Sequence, residues 1–245
     1  MKRVMLVVAY DGTNYCGWQI QPNGRTIEGE LNQALSELLK EDITVTGASR
    51  TDAGVHSYGN VAVFDTKARM PAEKMSYALN QRLPEDIVVQ LSKEVEPDFH
   101  PRRVRSKKTY EYRILNREFR DPNRRLDTYF YYRGLDVSLM REAAGYLVGE
   151  HDFKSFCSVK SQAETTVRKI YSLTIDRHED IITIRITGNG FLYNMVRIIA
   201  GTLIQVGNGE RNPEEMPAIL AALNREEAGP TAPAHGLTMV GIEYE

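Results

Sequence analysis

The sequence is poor in the residues that build disulfide frameworks and metal centres. It has two cysteines among 245 residues, Cys16 and Cys157, which lie far apart without metal-ligand spacing. Two unpaired thiols are typical of a reduced, cytoplasmic protein. The five histidines form no H-x-x-x-H pair, and His151 beside Asp152 comes nearest to a ligand pair. The sequence therefore predicts no metal site.

Long apolar segments are also missing. None of the apolar runs in the sequence reaches the roughly 18 residues that a membrane span needs. The apolar stretch near the N-terminus is interrupted at Tyr10-Asp11-Gly12, and no small-residue cleavage site follows it, so we expect no signal peptide and no membrane contact. With 42% hydrophobic residues, the chain is long enough for one large or two small globular domains.

The charge is unevenly distributed, although the net charge is only −2. Residues 102–133 contain eleven Lys or Arg and four Asp or Glu, a net charge of +7, so the rest of the chain carries −9. Seven aromatic residues lie among these basic residues. Cations beside aromatic faces suit phosphates and unstacked bases. A solvated pair of strands with a basic outer face has the same composition, and composition alone leaves both interpretations open.

The hydrophobic pattern predicts a β-α-β-β-α-β order in the first hundred residues. The expected strands are 4–10, 43–46, 58–66 and 86–95. The expected helices are 27–39, with Thr26 as its cap, and 71–83.

The second half repeats this theme. The expected strands are 107–116, 127–133, the hairpin pair 167–175 and 180–187, and 237–244. The expected helices are 137–148, 191–206 and a short one from Pro213, with weak structure at 151–166 and 226–236. We therefore predict an α+β fold with two similar ferredoxin-like halves that share a mostly antiparallel sheet and leave a central basic cleft. The expected domains are 1–103 and 104–245.

The stretch MLVVAYDGTN resembles the D-x-D-G-T motif of aspartyl-phosphate phosphatases. The nucleophilic aspartate of that motif falls on Ala9. Because the nucleophile is missing, we interpret Asp11-Gly12-Thr13 as a turn.

The pair Gly188-Asn189-Gly190 follows a predicted strand and precedes a predicted helix, as a phosphate-binding loop does. No third glycine and no Gly-Lys-Ser/Thr follows it. The pattern therefore favours a glycine turn at a helix start over a nucleotide site.

The stretch GASRTDAGVHSYG carries the strongest candidate site. Arg50 and Asp52 lie two residues apart on a small, polar segment. A carboxylate with its ordinary pKa of about 3.9 is ionised at neutral pH, and a nearby guanidinium would keep it so. Held in a cleft, it can act as a nucleophile or a general base. A simple turn capped by Asp52 also fits the pattern.

Six ordered blocks of the sequence resemble the tRNA pseudouridine synthase A family, also called tRNA pseudouridine(38–40) synthase. The signature block is Arg50-Thr51-Asp52-Ala53-Gly54-Val55-His56. The other blocks are YDGTNYCGWQIQP; Phe99-His100-Pro101-Arg102 with 107–112; His151-Asp152-Phe153 with Phe156; 190–197 with Gly201; and 232–237. They span nearly the whole chain.

The resemblance implies an enzyme that isomerises uridine to pseudouridine at tRNA positions 38, 39 and 40, without cofactor or metal. The family's catalytic aspartate falls on Asp52, and its base-flipping arginine falls on Arg50. The tyrosine that packs on the uracil falls on Tyr110. Arg197 corresponds to a second arginine that pairs with the catalytic carboxylate. Whether Asp52 attacks C1′, attacks the uracil ring or removes a sugar proton stays open.

The resemblance also implies a homodimer that binds the tRNA anticodon stem-loop. We expect Arg102, Lys107 and Lys108 to contact the RNA. Small departures from the family pattern occur at Ser49, Ser57 and Ile198, where many members have glycine, alanine and asparagine. A related protein that binds tRNA without chemistry is the main alternative, and the presence of Asp52, Arg50 and Tyr110 argues against it.

Overall fold

The computed structural model describes residues 1–22, 24–158 and 164–245. The chain forms two compact units. Unit 1 comprises Met1–Ser106 with Met239–Glu245, and unit 2 comprises Lys107–Thr238. The domain bounds expected from the sequence, 1–103 and 104–245, stay a prediction.

Unit 1 contains strands that pair antiparallel and two helices. The strands are β1 (Lys2–Tyr10), β2 (Thr46–Gly47), β3 (His56–Thr66) and β4 (Ile87–Val95), and the helices are α1 (Ile27–Leu39) and α2 (Ala72–Leu79). Strand β1 lies between β3 and β4, and β2 pairs with β3.

Helix α1 forms where its cap and its apolar spacing predict it. The Thr26 hydroxyl accepts a hydrogen bond from the Gly29 amide at 3.3 Å, which satisfies one of the free donors at the helix start. The helix ends at Lys40, whose φ of 57° is left-handed. Leu31 and Leu35 lie on its buried face and pack with the apolar side of β1. Burial of this stripe ties the helix to the sheet.

The predicted strand 43–46 is wrong over residues 43–45. The amide of Ile43 donates to Ser36 Oγ at 3.0 Å, and that of Val45 donates to Asn32 Oδ1 at 2.8 Å. Side chains of α1 thus use backbone donors that strand pairing would need.

Helix α2 ends four residues earlier than predicted. The Asn80 side chain donates to the Val89 carbonyl at 3.0 Å and accepts from the Val89 amide at 2.8 Å. These two hydrogen bonds to β4 replace the further helical turn that the sequence predicted.

The remaining elements lie in unit 2, apart from Ser106 and most of β10. The strands are β5 (Ser106–Asn116), β6 (Tyr129–Tyr131), β7 (Gly149–Asp152), β8 (Val167–His178), β9 (Ile181–Gly188) and β10 (Leu237–Tyr244), and the helices are α3 (Val137–Gly145), α4 (Met195–Gly207) and α5 (Met216–Ala222). Strands β5, β9, β8 and β7 pair antiparallel in that order, and β6 pairs parallel with β5. From Met239 onward, β10 belongs to unit 1.

The pairing of β5 with β9 places apolar side chains on one face. Tyr112 pairs with Ile184, and Ile114 pairs with Ile182. All four side chains are buried. Alternate positions of a strand share a face, so this register gives unit 2 its core.

The predicted start of α4 is four residues too early. Asn194 adopts a left-handed φ of 61° and precedes the first helical residue, Met195. The glycine turn at Gly188 and Gly190 is therefore separated from the helix by residues 191–194. Strand β7 was missed because it overlaps the stretch 151–166 expected to be weakly structured. Residues 159–163 of that stretch lie outside the described residues.

The mixed α/β architecture with mostly antiparallel strands confirms the predicted fold class. Across the described ranges, no helix combines the length and the apolar character that a bilayer crossing requires.

Candidate active site

Residues 48–55, here called the Asp52 loop, connect β2 to β3. Buried and accessible residues alternate in its first half. Ser49 and Thr51 are buried, whereas Arg50 is exposed and Asp52 is half-buried. The loop therefore presents Arg50 and Asp52 outward from an anchored backbone.

A buried hydrogen-bond network anchors the start of this loop. Thr51 Oγ1 lies 2.8 Å from the Tyr10 hydroxyl. Asn60 Nδ2 donates to the Ser49 carbonyl at 3.0 Å and to the Tyr10 hydroxyl at 3.3 Å. Burial raises the pKa of Tyr10 to about 12, against the opposing effect of its hydrogen bonds. The phenol is therefore neutral at physiological pH and keeps its proton.

Residues 11–18 hold the middle of the loop. The Trp18 amide donates to the Thr51 carbonyl at 3.0 Å, and the Gly54 amide donates to the Tyr15 carbonyl at 3.3 Å. Gly17 has a φ of +89°, and a Cβ there would lie 2.5 Å from the Thr51 carbonyl oxygen. Only glycine combines that conformation with such a close approach, so this block supports the loop.

Residues 11–18 also hold the end of the loop. The Gly12 amide nitrogen and Asp11 Oδ1 lie 3.1 Å and 3.0 Å from His56 Nδ1. Burial tends to raise the pKa of Asp11, but hydrogen bonds from Thr13 and the nearby His56 lower it overall. A Cβ on Gly12 would overlap the Val55 carbonyl. Residues 11–18 therefore contact the chain both before and after Asp52.

Arg102 lies beside the loop. Its Nε donates to the Gly47 carbonyl at 2.6 Å. Desolvation of the guanidinium, followed by repulsion from Arg50, lowers the pKa of Arg102. Two positively charged side chains therefore lie close to each other at the loop that carries Asp52, a favourable setting for a phosphate.

Tyr110 occupies the first half of β5 in unit 2. It is 8% exposed, and its ring meets Phe191 edge to face, with centroids 5.2 Å apart. This contact joins two of the sequence blocks and fixes the plane of the Tyr110 ring.

The predicted RNA-binding lysines lie at the start of β5. Lys107 Nζ lies 5.5 Å from the centroid of the Tyr171 ring, and Lys169 Nζ lies 5.8 Å from the same ring. Lys108, the next residue, is half-buried. Cations beside an accessible aromatic ring are typical of surfaces that bind single-stranded nucleic acid.

Arg197 lies in the first turn of α4 and donates hydrogen bonds to residues of its own unit. Its Nε donates to the Ala232 carbonyl at 2.7 Å, and its Nη1 donates to Asn194 Oδ1 at 2.9 Å. Asn194 Nδ2 in turn donates to Ser158 Oγ at 2.9 Å. Residues near three separate sequence blocks thus fix the direction of this guanidinium.

Several other arginines of the basic segment have acidic partners inside the protein. Arg113 lies 3.1 Å from Glu111, and Arg117 lies 3.5 Å from Asp180. Arg133 lies 3.6 Å from Glu210. Some basic side chains of residues 102–133 therefore form ion pairs within unit 2.

The three departures from the family pattern are all buried. The Ser49 carbonyl accepts a hydrogen bond from the Asn60 side chain. The Ser57 hydroxyl accepts one from the Gly59 amide at 3.1 Å. Ile198 is 0% exposed in α4. Each is accommodated inside its own unit.

Unit 1 brings Arg50, Asp52 and Arg102 to one loop, whereas Tyr110 and Arg197 belong to unit 2. That these residues form one site stays a prediction.

Sequence reasoning missed Tyr10 and Asn60. An asparagine in the apolar run of β3 was the available signal, because a buried amide needs partners. Over the described part of the chain, no three His, Cys, Asp or Glu residues are grouped for metal binding.

Comparison with known proteins gives consistent matches over the whole chain. A protein named tRNA pseudouridine synthase A from Ruminiclostridium cellulolyticum is 49% identical over 245 residues, covering 100% of both chains. One of the same name from Brevibacillus brevis is 49% identical over 244 residues, again covering 100% of both. Among solved structures, the archaeal box H/ACA sRNP Nop10–Cbf5 complex matches with a TM-score of 0.35 at 11% identity, covering 96% of this chain and 46% of that one, which is too weak to add to the assignment.

A family profile described as tRNA pseudouridine synthase matches residues 6–102 and 143–245. These ranges include the Asp52 loop, the block that supports it, and Arg197 with its carbonyl partner. Together with the full-length relatives, they confirm the enzyme class expected from the sequence. The chain belongs to the tRNA pseudouridine synthase family.

Proposed function

We propose that this protein converts uridine to pseudouridine at positions 38, 39 and 40 of the tRNA anticodon stem-loop. The observation that carries the proposal is the 49% identity, over the full length of both chains, to relatives named tRNA pseudouridine synthase A. The Asp52 loop supports it, because a half-buried carboxylate follows an exposed arginine by two residues on a firmly held backbone.

The reaction is an isomerisation in which no atom is gained from a second substrate. The bond between uracil N1 and ribose C1′ breaks, the base turns, and a bond forms between C5 and C1′. The hydrogen on C5 leaves as a proton, and N1 takes up a proton. The conversion is redox-neutral, so its steps call for a nucleophile or base held in a fixed geometry.

Asp52 is the group that we assign to the chemistry. As an ionised carboxylate it acts as a nucleophile, on C1′ or on the ring, or as the base that removes a sugar proton. Each role needs the carboxylate held close to the nucleoside, and the Asp52 loop provides a fixed backbone for it.

The other site residues bind and orient the nucleoside. A paired or stacked uridine must leave its stack before a side chain can reach C1′. Arg50, exposed next to Asp52, occupies the space that the flipped base leaves. Tyr110 packs on the uracil, and Arg197 pairs with the Asp52 carboxylate.

The RNA is held by basic side chains outside the chemical site. Arg102 contacts a phosphate beside the Asp52 loop, and Lys107 and Lys108 contact the backbone at the start of β5. The protein acts in the cytoplasm as a homodimer, and each bound tRNA touches both subunits.

Tritium release from unmodified tRNA labelled at C5 of uridine tests the proposal. The wild type should release tritium, whereas Asp52→Asn and Asp52→Ala should release none and still bind tRNA. Asp42→Asn is the matched control, because Asp42 is an exposed carboxylate of the same unit outside the Asp52 loop.

Two results would contradict the proposal. If the wild type binds tRNA tightly without releasing tritium, the protein is a tRNA-binding relative without this chemistry. If Asp52→Asn releases tritium at the wild-type rate, the carboxylate has no part in the reaction.

A further inference from the structure

Two buried side chains on neighbouring strands hold the residues on both sides of Arg50. Tyr10 is the last residue of β1, and Asn60 lies in β3, which runs antiparallel to β1. The Asn60 amide bonds the Ser49 carbonyl, and the Tyr10 hydroxyl bonds the Thr51 hydroxyl. Because Asn60 also donates to Tyr10, the residues before and after Arg50 are held by one connected pair.

Asn60 uses its whole side chain in this arrangement. Its Nδ2 donates to Ser49 and Tyr10, and its Oδ1 accepts from the Val61 amide at 2.9 Å. The residue is 0% exposed, so no water can replace a lost bond. A buried polar group without a partner costs about 1–3 kcal/mol. Rotation of the amide would break several bonds together, and the network therefore favours one conformation of the loop.

Stability alone does not account for the polar character of this pair. Apolar residues of the same shape fill a core about as well as a buried polar pair. A hydrogen-bonded pair differs in that it specifies where its partners lie, to within a few tenths of an ångström. In this protein the partners are the two chain neighbours of Arg50, and the second of them, Thr51, precedes Asp52.

We propose that Tyr10, Asn60 and Thr51 are positioning residues of the reaction, which hold Arg50 and Asp52 at the distance and angle that base flipping and chemistry require. This inference rests on the proposed function, because it assigns those two roles to Arg50 and Asp52. A misplacement of about 1 Å at a reacting group costs up to about 100-fold in rate. Loss of the network therefore lowers the rate of the chemical step more than it lowers tRNA affinity.

Single-turnover tritium release with enzyme in excess tests this inference, together with the tRNA Kd and the melting temperature of each variant. Thr51→Val keeps the shape of the side chain and removes the hydroxyl, whereas Thr51→Ser keeps the hydroxyl. We expect Thr51→Val and Tyr10→Phe to lose between about 10- and 100-fold in rate, with Kd within about twofold of wild type. Thr51→Ser should lose at most half as much rate as Thr51→Val, when both losses are expressed as logarithms. If Tyr10→Phe fails to fold, the comparison of Thr51→Val with Thr51→Ser still tests the inference.

Ser92→Ala is the matched control for the loss of a buried hydrogen bond. Ser92 Oγ accepts from the Ser76 amide at 2.8 Å, on β4 and outside the network. It should lower the melting temperature and leave the rate unchanged. Equal rates for Thr51→Val and Thr51→Ser, or rate losses no larger than that of Ser92→Ala, would overturn the inference. A wild type that releases no tritium would instead refute the proposed function itself.

Discussion

Arg102 Nε donates to the Gly47 carbonyl at 2.6 Å, directly before the loop that carries Asp52. The bond uses one edge of the guanidinium and leaves its other donors for a ligand. Because Arg50 is close enough to lower the pKa of Arg102, the two cations gain a common partner when a phosphate binds between them.

We expect Arg102→Ala to weaken tRNA binding several-fold and to reduce the slope of log Kd against log salt by about 1. Binding titrations at several salt concentrations measure both quantities. Arg141→Ala is the matched control, since Arg141 Nε also donates to a backbone carbonyl at 2.6 Å, that of Ile175. An unchanged salt slope for Arg102→Ala would remove this residue from the RNA interface.

The edge-to-face contact of Tyr110 with Phe191 predicts that the ring matters more than the hydroxyl. Tyr110→Phe keeps the aromatic face, so it should retain more tRNA affinity and more turnover than Tyr110→Ala, which should lose about 1–3 kcal/mol of stacking. Tritium release and Kd for the two variants make the comparison. If both lose equally, the phenolic oxygen is the important group.

Arg197 donates from Nε to one acceptor and from Nη1 to another. A lysine has the same charge but cannot make both bonds in a fixed fork. We therefore expect Arg197→Lys to lower kcat by about tenfold or more, while tRNA affinity changes little. Arg211→Lys is a suitable control, because Arg211 is also half-buried and donates from Nε to the Gln205 side chain. Wild-type kcat in Arg197→Lys would show that charge alone suffices.

The Arg3–Asp65 ion pair predicts an acid-sensitive contribution to stability. Hydrogen bonding to Arg3, at 2.7–2.8 Å, lowers the pKa of Asp65 from its ordinary 3.8. A lowered folded-state pKa stabilises the protein above about pH 4, and this contribution is lost as the pH falls further. Asp65→Asn should thus reduce the free energy of unfolding by up to about 1 kcal/mol at pH 7, and the difference should shrink as the pH falls below 3.8.

Denaturant titrations at pH 7 and pH 3 measure this difference. Asp176→Asn is the control, because its 3.6 Å pair with Arg141 is far more exposed. A difference between Asp65→Asn and wild type that is equal at the two pH values would contradict the assignment.

The predicted homodimer can be measured directly. Light scattering should give about twice the 27.8 kDa of one chain, and the fraction of dimer should depend on concentration. A single-chain mass at micromolar concentration, with full tritium release, would make the monomer the active species.

Local patterns predicted the elements whose causes are local. Helix α1 follows from Thr26 and an apolar stripe, and the β8–β9 hairpin follows from two strands around a short polar turn. The errors have non-local causes. Side chains of α1 bind the backbone at Ile43 and Val45. Asn194, which donates to Ser158 Oγ, leaves the helical region just before α4. The resemblance points to Asp52, whose role stays a prediction. The contact between Tyr10 and Asn60 joins two strands across 50 residues of sequence, and no local pattern predicts it.

Trp18 is the only tryptophan in the chain, and its indole is fully buried against Gly47 while its amide holds Thr51. Its fluorescence is therefore an intrinsic reporter of the segment around Asp52. Emission from the native protein should be blue-shifted, and it should move to longer wavelength as soon as this segment opens. A shift that precedes the loss of helical circular dichroism would show that inactivation begins with a local opening of unit 1.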